Sequence, residues 1–374
     1  MLKDKRTATI TWLKYNNFGT FLQAYALQQS ILKLGYENRI LNDESISNPD
    51  FSFSGLCKRI IRRILFRGRN SKNVSFSHVI EETNKAYGKF REKYLLIDDD
   101  TARNQTDSVV RYDQFICGSD QIWCPSFHKH LQGYYYADFF PNKKIAYAAS
   151  FGVNSYPEEK KVEFIQLVSN FSAISCREKI GCRFVEEILK RKVPHVVDPT
   201  LLLNGVDWCK ISERPADIPE EKYLLTYFLT PNQWYLDYAR EYAQNKGLKL
   251  VTFYIRPTSL QEADIAISAG PCEFVSLIDH AEIFFTDSFH GSIFATHMGT
   301  PFVGFRRFTG EKSGQNHRLT DLYAKMNISD RFIVDSTDCH RIENLPQLDF
   351  VAMRESLRPE IQLSLDYLKK SLAL

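Results

Sequence analysis

Residues 282–305 read EIFFTDSFHGSIFATHMGTPFVGF, and this stretch carries the pattern that decides the fold. A short apolar run over 282–286 predicts a strand, which a polar turn follows. A helix is predicted from about Ser292, and a second apolar run over 301–305 predicts another strand. Two strands joined through one helix form a βαβ unit, whose strands lie parallel in one sheet.

The same alternation extends from this unit towards the N-terminus. Strands are predicted over residues 7–13, 38–41, 114–117, 144–149, 173–176, 193–197, 223–229 and 248–255, with helical patterns between them. Strands that alternate with helices predict mostly parallel sheets that helices cover on both faces. The expected fold class is therefore α/β, with Rossmann-like units.

The length of the chain predicts two lobes. Its 374 residues exceed the size at which a single core stops growing, roughly 250–300 residues. Prolines at 199, 215 and 219 mark the stretch 198–219 as a linker. We assign residues 1–205 to an N-terminal lobe with a basic insertion at about 52–100, 206–345 to a C-terminal lobe, and 346–374 to a C-terminal helix.

Composition excludes several classes of protein. A net charge of +3 from 48 basic and 45 acidic residues gives no field that indicates a nucleic-acid partner. The first apolar run is too short for a signal peptide, and no run approaches the roughly 20 residues of a membrane span. We therefore expect a cytoplasmic protein. The 8 cysteines form no CxxC pair, so we expect packed thiols and no metal site.

Two motifs of the N-terminal lobe place polar side chains beside predicted strand ends. The turn NNFGT at 16–20 leads into a helix whose first N–H groups lack partners, although such turns are also common for structural reasons alone. The segment CGSDQIW at 117–123 joins a hydroxyl, a carboxylate, an amide and an indole, a mixture that suits a sugar. The simpler alternative is that Asp120 caps a helix. The predicted acceptor-binding residues are Asn17, Gly19, Ser119, Gln121 and Trp123.

Two further motifs favour anion binding. The planar fork of Arg177, after a predicted strand, suits a carboxylate or phosphate, whereas an ion pair with the neighbouring acid is the simpler alternative. His290 lies at a strand-to-helix turn, beside the positive end of a helix. Arg306, Arg307, Lys312 and Arg318 follow the next strand, within reach of a doubly anionic ligand. The predicted anion-binding residues are Arg177, Ser288, Gly291, Ser292, Arg306 and Arg307, and the candidate catalytic residues are His290 and Asp120.

Six motifs, in this order, resemble the polysaccharide pyruvyl transferase family: NNFGTFLQAYAL, ICGSDQIW, YAASFG, SCRE, DPTLLL and TDSFHGSIFA. They run from Asn16 to Ala295, and PFVGF with residues 316–318 extends the resemblance to nearly the full chain. It implies a two-lobed fold like that of the GT-B glycosyltransferases, with the active site in the cleft between the lobes. It also implies phosphoenolpyruvate as donor, a sugar or lipid-linked oligosaccharide of a surface polysaccharide as acceptor, a pyruvate ketal as product, and no cofactor.

Ketal formation assigns a role to each group of candidate residues. The reaction needs a proton on the donor's methylene carbon, attacking hydroxyls, and cations for the carboxylate and phosphate. We assign His290 as general acid/base or phosphate contact, Arg177 as donor anchor, and Asp120 with Ser119 as groups that bind or activate the acceptor hydroxyl. Some family members carry arginine two residues before the histidine, where this chain has Ser288. Either Arg306 or Arg307 replaces that arginine, or the donor differs.

Two other functions fit the same sequence. A sugar-nucleotide glycosyltransferase would use the same fold, although the second lobe shows no clear acidic ribose-binding signature and Glu273 is the nearest candidate. A catalytically inert polysaccharide-binding homologue is the other. A dinucleotide oxidoreductase is disfavoured because no GxGxxG follows the first strand.

A basic segment of the first lobe has two interpretations. Residues 56–69 read LCKRIIRRILFRGR, with 6 cations between apolar positions. A cationic amphipathic helix of this kind lies at an anionic membrane surface, which would give peripheral contact with the inner membrane face through Lys58–Arg69. The alternative is an exposed helix whose apolar stripe packs on the N-terminal lobe. Both stay open on the sequence.

Overall fold

The first lobe is built on a parallel sheet. The structure, a computed structural model, describes residues 5–42, 76–99, 110–127, 129–230, 232–309 and 316–374. Within them, the first six-stranded sheet has the order β3-β2-β1-β4-β5-β6, the order of a doubly wound nucleotide-binding fold. Its strands are β1 (Arg6–Ile10), β2 (Glu37–Leu41), β3 (Ile97–Asp98), β4 (Gln114–Cys117), β5 (Lys144–Ala149) and β6 (Phe171–Cys176).

The second lobe repeats the arrangement. Its sheet has six described strands in the order β12-β11-β10-β7-β8-β9, and every pair is parallel. In such sheets ligands lie beyond the carboxyl ends of the strands, where the strand order reverses. The strands are β7 (Tyr223–Tyr227), β8 (Lys249–Phe253), β9 (Ile265–Ile267), β10 (Ile283–Thr286), β11 (Phe302–Phe305) and β12 (Phe332–Ile333).

Helices cover both sheets, and short polar residues set where several of them begin. Asn17 caps the first helix by accepting a hydrogen bond from the Thr20 backbone N–H at 3.1 Å. The helices are α1 (Phe18–Lys33), α2 (Phe76–Tyr94), α3 (Lys161–Val168), α4 (Lys179–Leu189), α5 (Gly205–Cys209), α6 (Gln233–Lys246), α7 (Ser259–Glu262), α8 (Pro271–Asp279), α9 (Phe289–Met298), α10 (His317–Lys325) and α11 (Phe350–Ala373).

The predicted strand at 193–197 is wrong. The chain there forms one isolated bridge, in which the Cys176 N–H donates to the Pro194 carbonyl and the Val196 N–H donates to the Cys176 carbonyl. Pro194 has no N–H to donate, so the ladder does not continue. The short strands β3, β9 and β12 and the helices α5, α7 and α10 are additions that the periodicity of the sequence did not predict. Helix α5 lies inside the stretch 198–219 predicted as a linker.

An aromatic core joins the two lobes. Phe18, in the first turn of α1, packs its ring on Phe274, Phe253 and Tyr227 of the second lobe, with centroid distances of 4.5, 5.1 and 5.5 Å. Tyr87 of α2 stacks on the other side of Phe18 at 5.8 Å. Because α1 is buried between the sheets, its N-terminus is held at the junction of the lobes.

The C-terminal helix α11 packs on both lobes. Met353 and Leu357 belong to the apolar core that the lobes share, whereas Leu368 and Leu372 pack in the core of the first lobe. The Ser364 hydroxyl accepts a hydrogen bond from the Val197 N–H at 2.9 Å. The predicted boundary after residue 205 falls between the two sheets, at the start of α5.

The predicted membrane-binding segment Lys58–Arg69 lies outside the described residues. Of the helices that the structure describes, none has the length and hydrophobicity needed to cross a bilayer.

Candidate active site

A buried arginine at the end of β6 is the centre of a charged cluster. Arg177 donates from Nη1 to Asp198 Oδ2 at 2.8 Å and from Nη2 to Ser150 Oγ at 3.1 Å. Asp120 Oδ1 lies 3.6 Å from Nη2, and Glu178 Oε1 lies 3.7 Å from Nε. Burial lowers the pKa of Arg177, but Asp198, Glu178 and Asp120 outweigh this effect and raise the pKa. Three carboxylates therefore surround one guanidinium whose side chain is 2% exposed.

Asp198 connects the two lobes through one carboxylate. Its Oδ2 accepts from Arg177 and lies 3.3 Å from Nε2 of His290 on the second lobe. Its Oδ1 accepts from the backbone N–H and the hydroxyl of Thr200, at 3.0 and 2.7 Å. Burial raises the pKa of Asp198, yet His290 and Arg177 outweigh burial and hold this pKa well below its usual range. The carboxylate is therefore ionised and fixed in place.

The imidazole of His290 packs on the first turn of α1. A Cβ atom added at Gly19 would lie 2.1 Å from Nδ1 and 2.6 Å from Cε1 of His290, so only glycine leaves room for the ring. With Nε2 on Asp198, the Nδ1 side faces α1. The N-termini of α1 and α9 meet at this point, and the first N–H groups of a helix have no partners within it. Their positive ends favour a negatively charged ligand here.

Asp120 ties the loop after β4 to α1. Its Oδ2 accepts from the Thr20 hydroxyl at 2.7 Å, and its Oδ1 accepts from the Gln121 N–H at 2.9 Å. The backbone of Asp120 has φ of +67°, a left-handed conformation that asparagine and aspartate tolerate better than most residues. The helix-cap alternative is wrong because the next described helical segment, a 3-10 turn at Gly133–Tyr136, is capped at Gln132 and lies well beyond Asp120.

A cavity of about 440 Å³ opens on the other side of Arg177. Helices α4, α10 and α11 and the segment around Asp198 form its walls. The Phe289 ring also lines it and lies 6.0 Å from the guanidinium carbons of both Arg177 and Arg318. Arg177 alone among the predicted site residues lines this cavity. His290 does not line the cavity, whereas its partner Asp198 does.

The predicted anion-binding residues Ser288, Gly291 and Ser292 form the turn that holds His290. The Ser288 hydroxyl caps α9 by accepting from the Gly291 N–H at 3.2 Å. The Ser292 hydroxyl donates to the Ser288 carbonyl at 3.2 Å and is hydrogen-bonded to the Tyr323 hydroxyl at 3.0 Å. All three residues are buried. The two serine hydroxyls are therefore used within the turn and position His290, which leaves the backbone of the turn as the part that an anion could contact.

The two arginines expected to replace the one absent at Ser288 do not line the cavity. Arg307 donates from Nε to the Thr230 hydroxyl at 3.2 Å, and its backbone N–H donates to Asn316 Oδ1 at 3.1 Å. The Arg306 N–H donates to the Ile333 carbonyl at 2.9 Å. Arg318 does line the cavity.

Two of the predicted acceptor contacts are inaccessible. Ser119 is fully buried and donates to the Ala148 carbonyl at 3.1 Å. Trp123 is also fully buried, donates from Nε1 to the Tyr135 carbonyl at 3.1 Å and stacks on Tyr136 at 5.1 Å. Neither can touch a sugar in this structure, so both assignments are corrected. Partly exposed side chains at Asn17 and Gln121 keep those two predictions open.

Trp123→Phe is expected to lower stability without changing acceptor recognition. The change removes the indole N–H bond and leaves a void in the core, which costs about 1–3 kcal/mol. Chemical denaturation measures the free energy of unfolding, and the KM for the acceptor is expected to stay the same. A large rise in that KM, at unchanged stability, would restore Trp123 to the sugar site.

Asp198 is the site residue that the sequence analysis missed. It stands at the start of the predicted linker and is the first residue of the DPTLLL motif, but neither observation gives it a role in the site. It follows the apolar run 193–197 in the way that Arg177 follows β6, so the rule that polar residues after strands form sites would have found it. The pairing with His290, 92 residues away, is tertiary and has no local signal.

The fold and the site define a two-lobed, GT-B-like α/β protein whose charged cluster lies between the lobes. The structure is similar to the UDP-GlcNAc 2-epimerase from Neisseria meningitidis bound to UDP-GlcNAc, with a TM-score of 0.52, 10% identity and coverage of 98% of this chain and 99% of that one. It is also similar to the UDP-GlcNAc 2-epimerase from Methanocaldococcus jannaschii, with a TM-score of 0.50, 11% identity and coverage of 92% and 93%. These likenesses show the fold alone.

The sequence model of the family described as polysaccharide pyruvyl transferase matches residues 17–307. The chain therefore belongs to the polysaccharide pyruvyl transferase family, and the resemblance of the six motifs is confirmed. A comparison with curated protein sequences gives no match. The predicted site residues and Asp198 all lie inside the matched span, whereas Arg318 lies beyond it.

Proposed function

We propose that this protein transfers the enolpyruvyl unit of phosphoenolpyruvate to a sugar of a surface polysaccharide or its lipid-linked precursor. The observation that carries the proposal is the hydrogen bond between His290 and the buried carboxylate of Asp198, at the point where α1 and α9 meet. A histidine oriented by a fixed carboxylate is suited to general acid–base catalysis.

The reaction consumes one donor and two sugar hydroxyls. The methylene carbon of phosphoenolpyruvate takes a proton, and one sugar oxygen bonds to the adjacent carbon. The bond from that carbon to the phosphate oxygen breaks, and a second sugar oxygen takes its place to complete the ketal. Of the two hydroxyl protons, one ends on the new methyl group and the other on the released phosphate. No cofactor enters this balance.

His290 carries out the proton transfers, and Asp198 holds its ring in place. Asp198 Oδ2 accepts a hydrogen bond from His290 Nε2, which fixes the plane of the ring and stabilises the imidazolium that forms when His290 takes a hydroxyl proton. The low pKa of Asp198 keeps the carboxylate charged throughout. The imidazolium then returns a proton to the donor.

Asp120 is the candidate contact for the acceptor. A carboxylate offers about four lone-pair sites. Hydrogen bonds from Thr20 and Gln121 use two of them, and the Asp120 side chain is 12% exposed. A sugar hydroxyl can therefore donate to the remaining sites.

The alternative, a sugar-nucleotide glycosyltransferase, loses its nearest ribose-binding candidate. Glu273 accepts a hydrogen bond from the Gly270 N–H at 2.9 Å and so helps to cap α8. Its carboxylate serves the fold of the second lobe.

His290→Ala is expected to lower kcat for phosphate release from phosphoenolpyruvate by about 10²–10⁴-fold, because the proton donor is removed. The assay uses the purified full chain with a panel of nitrophenyl and lipid-linked sugars. The matched control is His340→Ala, which removes an exposed histidine of the second lobe and is expected to leave kcat unchanged.

Acceptor-dependent phosphate release with an acid-labile pyruvyl product supports the proposal. Absence of release with every acceptor, together with consumption of a nucleotide sugar, would instead identify a glycosyltransferase.

A further inference from the structure

Arg318, a cation in the cavity beside Arg177, has no ion pair among the described residues. Arg318 lies in the first turn of α10, and no described carboxylate is within 4.0 Å of its guanidinium nitrogens. Asp321 also lines the cavity but does not pair with it. Burial, followed by repulsion from Arg177, lowers the pKa of Arg318 to about 10. A bound anion would offset both effects.

Arg177 cannot attract a second anion in the same way. Three carboxylates lie within 3.7 Å of its guanidinium, so this group of four side chains carries net negative charge. Like charges repel strongly where burial lowers the local dielectric. An anionic group that enters the cavity is therefore attracted by Arg318 and repelled by the carboxylates around Arg177.

Other features of the cavity favour the same ligand chemistry. Lys179 and Arg183, on the first turns of α4, line the cavity, whereas the Lys325 ammonium is paired with Glu360. The N-cap residue of α4, Glu178, makes no capping bond, so the first N–H groups of this helix keep their capacity to donate. Arginine, lysine and helix N–H groups together are the usual partners of phosphate in proteins.

We propose that this cavity is a phosphoryl-binding subsite in which Arg318 is the principal cation. Its volume of about 440 Å³ accommodates a phosphorylated small molecule as well as a free phosphate ion. Arg177 then acts as a positioning residue that holds Asp198, and Arg318 takes the anchoring role. The inference deepens the proposed function and rests on it, because the proposed reaction supplies the phosphoryl group. That group belongs either to the donor or to a phosphorylated acceptor.

Calorimetric titration of the full chain with inorganic phosphate and with phosphoenolpyruvate tests the subsite. Arg318→Ala is expected to weaken the binding of phosphate about tenfold to a hundredfold, because a charge-assisted hydrogen-bonding partner is lost. Arg318→Lys keeps the positive charge but lacks the planar guanidinium, so its affinity for phosphate is expected to lie between those of the wild type and Arg318→Ala. The control is Arg358→Ala, on an exposed ion pair of α11, which is expected to bind phosphate like the wild type. Thermal melts establish that each variant is folded.

Product inhibition distinguishes the two sources of the phosphoryl group. Phosphate that competes with phosphoenolpyruvate, with a raised KM for phosphoenolpyruvate in Arg318→Ala, assigns the subsite to the donor. Phosphate that competes with the sugar substrate, with a raised KM for that substrate, assigns it to a phosphorylated acceptor.

Wild-type affinity for phosphate and phosphoenolpyruvate in a folded Arg318→Ala protein would overturn the inference while leaving the proposed reaction intact. The opposite result is phosphate binding that depends on Arg318 in a protein that never releases phosphate from phosphoenolpyruvate. The subsite would stand and the proposed reaction would fail.

Discussion

Gly19→Ala is expected to reduce the proposed pyruvyl transfer by about 10²-fold or more while the protein stays folded. The new methyl group would lie 2.1 Å from Nδ1 of His290, so the imidazole has to move by about 1 Å or more to restore ordinary contact. A displacement of that size in a catalytic group costs about 10²-fold in rate. Steady-state kinetics of phosphate release measures kcat, and circular dichroism establishes the fold.

Gly88→Ala is the matched control. Gly88 lies inside α2, and a Cβ atom there meets no other atom within 4 Å. Alanine is expected to leave kcat unchanged and to stabilise the protein by about 0.5–1 kcal/mol.

A double-mutant cycle isolates the contact between Gly19 and His290. If the loss at Gly19 acts through His290, Gly19→Ala is expected to cost little further activity in a His290→Ala background. Full additivity would show that the two residues act independently.

Asp198→Asn is expected to lower both stability and activity. The change leaves the buried Arg177 with its hydrogen bond to Ser150 and its weaker ion pairs with Asp120 and Glu178. Breaking a buried ion pair costs about 3–5 kcal/mol. The amide also cannot stabilise an imidazolium at His290, so kcat is expected to fall by about 10²–10⁴-fold. Urea denaturation measures the free energy of unfolding. Glu282→Gln, which breaks an exposed pair with Lys222, is expected to cost at most about 1 kcal/mol.

The contribution of Asp198 to the free energy of unfolding is expected to fall as the pH is lowered. Folding lowers the pKa of this carboxyl below its usual value of 3.8, so just below that pH the unfolded chain binds a proton that the folded protein does not. The contribution to stability is fully present above about pH 5 and is lost as the pH falls below about 4. The difference in unfolding free energy between wild type and Asp198→Asn is therefore expected to shrink on acidification. A difference that stays constant down to pH 2 would contradict the low pKa.

The periodicity of the sequence predicted the fold because strands in parallel sheets are apolar on both faces. The expected strand at 144–149 has the bounds of β5, and that at 301–305 differs from β11 by one residue. The helix predicted from about Ser292 begins at Phe289, because the Ser288 hydroxyl caps it. The prediction instead starts the helix close to the apolar run. Short edge strands such as β9 escaped prediction because three residues carry too little pattern.

The sequence predicts which residues follow the strands of the sheets, but not which way their side chains point. Asp120 and Arg177 follow β4 and β6 of one sheet and lie 3.6 Å apart, because parallel strands bring their carboxyl ends to one edge. His290 follows β10 of the other sheet and contacts Asp198, the partner of Arg177. Whether a side chain faces the cleft or the core is set by packing of distant segments. Trp123 and Ser119 lie beside the site in sequence but point into the first lobe. The partners of Arg177 likewise come from separate parts of the chain, at residues 120, 150, 178 and 198.

The helix α11 has a consequence for the protein during its synthesis. The ribosome makes β1 to β6 well before it makes residues 364–372, which supply Leu368 and Leu372 to the core of the first lobe and the hydroxyl that satisfies Val197. The nascent first lobe therefore lacks part of its cover until the second lobe has emerged. Domains usually fold in the order of their synthesis, but here the first lobe becomes complete only after the last helix docks.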